Sequence, residues 1–263
     1  MGVHLRWFDL NKSERHNVIV DDLGREPALR VNEMSRRYDV SSETIRRDLA
    51  ELMERGLINR TYGGAVRIIT HEPALSERQH IQVAERKAIA KLAYDLIEPD
   101  DVLMIGGGIT TNVFAHALAL FKEPLTVITP SFNVAIALGT CSNISVHVLP
   151  GEFNGSEGLV QGSETTEALK RFRGTKSFLG ASGLSEEGPS DAAIPAGRIY
   201  QTMAERSMHS YILADSSKFG KAALSGYCVW APNISLISDR NPDDALTNIL
   251  SAAGVDVMLP DTI

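Results

Sequence analysis

The segment Ser41-Ser42-Glu43-Thr44-Ile45-Arg46-Arg47-Asp48-Leu49 puts hydroxyls and guanidinium groups at the start of a stretch with an apolar back. Ile45, Leu49 and Leu52 share one helical stripe, Arg47 falls nearly opposite it, and Arg46 lies on its flank. Arginine bridges guanine bidentately or holds phosphate, and serine and threonine reach bases or backbone, so this layout suits a helix lying in the major groove of DNA. Ser41 is placed to cap that helix by accepting an orphan backbone N–H. Ser41, Ser42, Thr44, Arg46 and Arg47 form the expected reading face, and Arg60 with the turn Tyr62-Gly63-Gly64 would touch the flanking backbone. Glycine there lets the main chain approach phosphate closely. Glu43, Asp48, Glu51 and Glu54 offset the arginines, so a small helical domain with a charge-paired, solvated surface fits the same residues.

A second constellation is Gly106-Gly107-Gly108-Ile109-Thr110-Thr111, which follows an apolar run and opens a helical pattern. Backbone N–H groups unhindered by side chains, at the positive end of a helix, make an anion site, and Thr110 and Thr111 add hydroxyls. A phosphate is the natural guest; a plain strand-to-helix turn that uses glycine for its dihedrals is the alternative. The loop lacks the third glycine of a dinucleotide fingerprint and the lysine of a Walker loop, which argues against NAD and ATP. Lys218, in Asp215-Ser216-Ser217-Lys218-Phe219-Gly220 after another strand end, could meet the same anion as a point charge, or be an ordinary surface lysine.

The elements that must position these groups fall into two domains. Helical spacing at 12–23, 31–38 and 41–55, followed by a short strand, a glycine turn and a returning strand, reads as a winged helix-turn-helix over 12–67. The pattern lapses around Pro73, giving a linker over 68–82. From 83 to 263, a helix at 83–97 is followed by apolar runs at 102–105, 126–129, 145–149, 177–180, 211–214, 234–238 and 255–259 that alternate with helices. That alternation defines an α/β domain with a mostly parallel sheet covered on both faces, in which ligands bind beyond the carboxyl ends of the strands.

The formal net charge of -7 argues against a protein that coats nucleic acid along its whole surface, but leaves a local reading element open. Two distant cysteines, Cys141 and Cys228, imply neither a disulfide framework nor a metal site. The seven histidines contain no i, i+4 pair. No metal or cofactor is therefore expected. The first residues do not read as a signal peptide and no run would span a bilayer, so a cytoplasmic protein without membrane contact is expected.

Glu14-Arg15-His16-Asn17, Val40 through Leu49, Gly56-Leu57-Ile58-Asn59-Arg60 and Gly63-Gly64-Ala65 resemble the signature of the DeoR family of bacterial transcription regulators. Ser76-Glu77-Arg78, Lys87-Ala88-Ile89-Ala90, Val127-Ile128-Thr129 and Asp215 through Gly220 resemble that family's C-terminal domain, which is similar to sugar-phosphate isomerases. The resemblance implies a homo-oligomeric repressor of a carbohydrate operon, bound to double-stranded operator DNA and released by a phosphorylated sugar, polyol or sugar acid. The chain departs from the family at Gly106, where aspartate is common, at Thr129-Pro130, where Thr-Asn is common, and around Ala196–Tyr200, where a glutamate is usual and Arg198 stands instead. Lost acids and a gained arginine suggest a more cationic pocket that takes a more anionic effector; the alternative is that Arg198 is a solvated helix residue. The effector-binding set is then Gly106, Gly107, Gly108, Thr110, Thr111, Arg198 and Lys218. The rival reading is a phosphosugar isomerase carrying a DNA-binding domain. It would need a carboxylate base, and Asp215 and Glu152 are the candidates left; no catalytic residue is assigned.

Overall fold

The structure is a computed structural model that describes residues 11–25, 28–54, 58–61, 64–69, 72 and 75–260. Its contacts divide the chain into two compact units, residues 1–69 with 220–222 and residues 70–219 with 223–263.

The first unit contains α1 (Lys12–Arg25), β1 (Ala28–Arg30), α2 (Val31–Arg37), α3 (Ser42–Glu54), β2 (Ile58–Thr61) and β3 (Gly64–Ile69). β2 and β3 pair antiparallel with Thr61 opposite Gly64, forming the expected wing. β1 pairs along the other edge of β3, with Ala28 opposite Val66. This three-residue strand is too short to show any alternation in the sequence. Ile19, Leu23, Met34, Tyr38, Ile45, Leu49, Leu52 and Ile58 are buried together, so the three helices close on one core. Asp39, at φ 51°, makes the tight turn between α2 and α3.

The second unit begins with α4 (Leu75–Arg78), which falls inside the stretch expected to be a linker, and α5 (Val83–Asp95). The chain then alternates through β4 (Val102–Ile105), α6 (Ile109–Leu118), β5 (Leu125–Thr129), α7 (Phe132–Leu138) and β6 (Ile144–Val148). A hairpin of β7 (Glu152–Asn154) and β8 (Leu159–Gln161) leads to α8 (Ser163–Leu169) and β9 (Gly174–Gly180). A second hairpin, β10 (Gly183–Ser185) and β11 (Gly188–Asp191), precedes α9 (Ile194–Arg206) and β12 (Ser207–Leu213). The two-residue strand β13 (Ala222–Ala223) falls where the chain passes from residues 220–222 of the first unit back into the second, which β14 (Ser225–Gly226), β15 (Ile234–Ile237), α10 (Asp244–Ala252) and β16 (Asp256–Met258) complete.

Seven of these strands make one parallel sheet in the order β16-β15-β12-β9-β4-β5-β6. Side chains alternate across each strand, so β4 sends Leu103 and Ile105 into a core with α5, α6 and α7, and Met104 into a second core with α8, α9 and α10. Both faces are covered, as a parallel sheet requires. The carboxyl ends of β4, β9 and β12 sit side by side at the centre of this sheet, and the loops that follow them carry Gly107, Ala181 and Asp215.

Candidate functional site

In the first unit the reading helix α3 starts as the sequence implies. The Ser41 hydroxyl accepts the backbone N–H of Thr44 at 3.0 Å and shares a hydrogen bond with the Thr44 hydroxyl at 2.9 Å. Ile45, Leu49 and Leu52 are at most 3% exposed, which turns Arg46 and Arg47 outward. Their side chains are 54% and 80% exposed, and each faces Glu43, at 3.5 and 4.0 Å. Such distances at the surface contribute little and leave both guanidinium groups available to a polyanion. Ser42 is half-buried, its hydroxyl 3.5 Å from Asn32 Oδ1. Tyr62 and Gly63 lie outside the described residues; Arg60 and Gly64 lie in β2 and β3, and the Arg60 side chain lies outside as well.

Asp48 is not one of the solvated acids offsetting the arginines. It is 2% exposed and accepts from Arg15 Nε at 2.6 Å, Arg15 Nη2 at 3.2 Å and the His16 ring at 3.0 Å. The cause is spacing: Asp48 follows Ile45 by three residues and precedes Leu52 by four, so it shares their buried stripe. This triad ties α3 to α1 beneath the reading face.

In the second unit a cavity of about 550 Å³ opens beyond the carboxyl ends of the central strands. Gly107, Gly108, Ile109 and Thr110 line it at the start of α6. The first intrahelical bond runs from Asn112 N–H to Gly108 O at 3.1 Å, so the N–H groups of Ile109, Thr110 and Thr111 precede the helical ladder. Gly108 has φ 110°, which strains any other residue. A Cβ on Gly107 would come within 2.6 Å of Leu159 Cδ2.

Lys218 also lines the cavity, so four of the seven expected residues, Gly107, Gly108, Thr110 and Lys218, come together. The other three do not. Gly106 packs on Tyr200, whose ring an added Cβ would meet at 2.9 Å. Thr111 is fully buried and donates its hydroxyl to Gly108 O at 3.0 Å. Arg198 is exposed, because Ala196, Ile199, Tyr200 and Met203 define the buried face of α9 and residue 198 falls opposite. The expected excess of positive charge is not found either. Among the described residues, the lining carries Arg78, Arg86 and Lys218 against Glu72, Glu77, Glu157, Asp191 and Asp215.

These charges are ordered. Glu72 accepts from Lys218 Nζ at 2.6 Å and from Arg78 Nη1 at 2.7 Å, and Arg78 Nη2 reaches Glu157 at 2.9 Å. Burial pushes the Glu72 carboxyl up, but Lys218 and Arg78 together outweigh it and hold the group below the usual carboxylate range. Burial raises Asp191 to about 6, against the pull of the Ala193 N–H and with the push of Glu72 and Glu157. Arg86 is 6% exposed; its Nη1 donates to Arg78 O at 2.9 Å, while its Nε stands 3.7 Å from Asp215 and has no hydrogen-bond partner. Desolvation lowers its affinity for the proton, with Asp215 opposing. An orphaned, buried guanidinium N–H in a cavity wall is an unmet donor of the kind an anionic ligand satisfies. Burial drives the Tyr200 hydroxyl well above its usual range, so it stays protonated and donates to Gly107 O at 3.0 Å.

Asp215 turns inward as a loop support, accepting Ser217 N–H at 3.1 Å, and Glu152 is exposed on β7 outside the cavity. Of the two, only Asp215 borders the cavity, where it faces Arg86. No local pattern in the sequence marks Glu72, Arg86, Glu157 or Asp191 as cavity residues, and Arg78 stands out only as part of Ser76-Glu77-Arg78. Among the described residues no three His, Cys, Asp or Glu side chains gather as a metal site, and no helix is long and apolar enough to cross a membrane.

A winged helix-turn-helix paired with a parallel α/β unit that holds an anion-lined cavity defines a DNA-binding transcription regulator with a sensor domain. Residues 15–71 match the DeoR-like helix-turn-helix domain and residues 81–240 the DeoR C terminal sensor domain. The chain belongs to the DeoR family of transcription regulators. It is 30% identical over 238 residues to the lactose phosphotransferase system repressor of Staphylococcus epidermidis, covering 88% of this chain and 94% of that protein. It is 29% identical over 252 residues to the HTH-type transcriptional repressor GlcR of Bacillus subtilis, covering 95% and 97%. Among solved structures it is similar to ribose 5-phosphate isomerase A of Methanocaldococcus jannaschii, at 16% identity over 53% of this chain and 56% of that one, with a TM-score of 0.38.

Proposed function

We propose that this regulator represses a carbohydrate operon and is released by a phosphorylated sugar, polyol or sugar acid bound in the cavity of its second unit. The observation that carries the reading is the α6 N-terminus, where the N–H groups of Ile109 and Thr110 precede the helical ladder in a cavity that also holds Lys218 and the unmet Nε of Arg86. A phosphate there gains backbone donors, a positive dipole end and cationic partners. Glu157, Asp191, Gln161 and Asn154, on the same cavity, are acceptors suited to sugar hydroxyls. That balance favours a polyhydroxylated compound with one phosphate over a polyanion. The relative named as a lactose phosphotransferase system repressor supports the same reading.

In this reading residues 12–67 bind operator DNA, 68–82 join the two functions and 83–263 sense the effector, with Glu72 and Arg78 of the joining stretch also reaching the cavity. Ser42, Thr44, Arg46 and Arg47 face the groove, with Ser41 capping the helix and Arg60 and the 62–64 turn on flanking phosphates. A homo-oligomer would present two such helices to repeated or palindromic half-sites. The deciding experiment is a gel shift of the full chain on its own upstream DNA, titrated with a panel of sugar, polyol and sugar-acid phosphates. One compound that releases a specific complex names the effector. A specific complex that no phosphorylated compound disturbs removes the sensor half of the reading and leaves the DNA half.

A further inference from the structure

We infer that Glu72 is an internal competitor for the effector's phosphate, and that its displacement is how occupancy of the cavity is felt by the chain leading to the wing. The inference rests on the anion-site reading above and adds its regulation.

Two of the three cationic side chains that line the cavity among the described residues, Lys218 and Arg78, are already engaged. One Glu72 oxygen takes Lys218 Nζ at 2.6 Å and the other takes Arg78 Nη1 at 2.7 Å. All three side chains are 15% to 17% exposed, so the exchange happens largely out of water, where like charges repel strongly. A carboxylate bridging two cations through its two oxygens occupies them much as two oxygens of a phosphate would. A phosphate that takes Lys218 or Arg78 must therefore move the Glu72 carboxylate aside. The carboxylate stays ionised in spite of burial, because Lys218 and Arg78 hold it so.

Position turns this competition into a signal. β3, the returning strand of the wing, ends at Ile69, and Glu72 follows three residues later. Arg78 closes α4 and is anchored independently, by Glu157 on one side and by its own carbonyl, which accepts from Arg86, on the other. Losing the Glu72 contact removes one hold on the chain between the wing and α4, while the holds at Leu75, whose N–H donates to Ser156 O, and at Arg78 stay in place. The freed end is the one next to the wing. Linkage then makes the effect reciprocal: operator binding that favours the tethered segment weakens phosphate binding by the same factor.

A purely structural ion pair predicts otherwise, since removing its carboxylate would leave the affinity for a small anion unchanged or lower. The test is calorimetric titration of the full chain with inorganic phosphate, comparing wild type with Glu72→Gln. Competition predicts that Glu72→Gln binds phosphate at least about tenfold more tightly, the size of effect expected when one nearby unit charge is removed. Equal or weaker binding by the variant overturns the inference while keeping the anion site. No binding by either protein removes the anion site, and the competition with it. Hydrogen exchange of the wild type covers the case of a variant that does not fold. With phosphate added, amides at 109–111 should slow and those at 75–78 should quicken. Slowing at 109–111 with unchanged or slower exchange at 75–78 overturns the competition alone.

Discussion

The reading helix and the cavity both present cations to phosphate, and they keep them in opposite states. Arg46 and Arg47 stand 54% and 80% exposed, loosely tethered to one carboxylate at 3.5 and 4.0 Å. Lys218 and Arg78 are 17% and 15% exposed and are held by Glu72 at 2.6 and 2.7 Å. The difference follows from the guest. DNA brings a row of charges and releases its counterions, so solvated arginines gain by meeting it and need no partner beforehand. A small phosphate meets cations whose side chains are largely buried, where an unpaired charge is costly in the empty state. An internal carboxylate removes that cost and makes binding an exchange. The surface thus keeps its cations ready, and the cavity keeps them occupied.

The strongest way to break the comparison is to remove the support under the surface. Asp48→Ala leaves Arg15 and His16 beneath α3 without their carboxylate, and breaking a buried pair this way costs about 3–5 kcal/mol. Urea unfolding followed on the first unit should show a loss of that size, with the second unit's transition unmoved. A loss under about 1 kcal/mol would mean the triad behaves like a surface pair. Next in size is the surface itself. Arg47→Ala should cost about 1–3 kcal/mol of operator affinity and relax the preference at one base pair if Arg47 reads a base. Equal loss on all DNA sequences, with a shallower salt dependence, would assign it to phosphate instead.

Much of the frame was legible. β4 and β15 were bounded to within a residue from their apolar runs, and Ser41 was identified as the cap of α3 because a hydroxyl just before an apolar stripe has one obvious use. Periodicity also contains the burial of Asp48, which shares the stripe of Ile45 and Leu52 but is masked by the charge balance of its segment. Arg198 lies opposite the stripe of Ile199 and Met203, which agrees with its reading as a solvated helix residue rather than a pocket residue. The cavity ring was out of reach for another reason. Glu72 and Lys218 are 146 positions apart, and Arg78 and Glu157 are 79 apart. No local pattern links such pairs; only the order of the parallel strands brings their loops together. The hairpins β7–β8 and β10–β11, which carry Leu159 and Asp191 to the cavity, have arms of three or four residues, too short to show alternation.

A pH titration sharpens the contrast within the cavity. Asp191 is raised from 3.8 to about 6, chiefly by burial, with Glu72 and Glu157 adding to the push and the Ala193 N–H and Arg78 opposing it. The folded state therefore holds this proton more tightly than the unfolded chain does. The resulting stabilisation is fully present below about pH 3.8 and is lost as pH rises through about 6. Asp191→Asn removes the ionisation, so the melting temperature of the variant relative to wild type should climb over that window, by an amount on the order of a few degrees. A pH-independent difference would assign the titration to another group. Effector affinity, if sugar hydroxyls donate to this carboxylate, should strengthen above about pH 6 in wild type only.

The smallest effect tests the comparison most directly, because it repeats the Glu72 experiment on the surface. Glu43 pairs with both Arg46 and Arg47 and is itself 66% exposed. If exposed cations need no partner, Glu43→Gln should change protein stability by no more than about 0.5 kcal/mol, as for other helix-surface pairs. It should strengthen binding to all DNA modestly and equally, since it removes a negative charge near the phosphates without adding a base contact. The gain should fade as salt is raised, because exposed charges are screened over about 10 Å at 0.1 M ionic strength. Glu72→Gln should behave differently, with a tenfold or larger gain for phosphate that persists in salt because its charges are sheltered from water. Equal salt dependence in the two variants would mean that burial does not separate the two sites, and the contrast between a ready surface and an occupied cavity would fail.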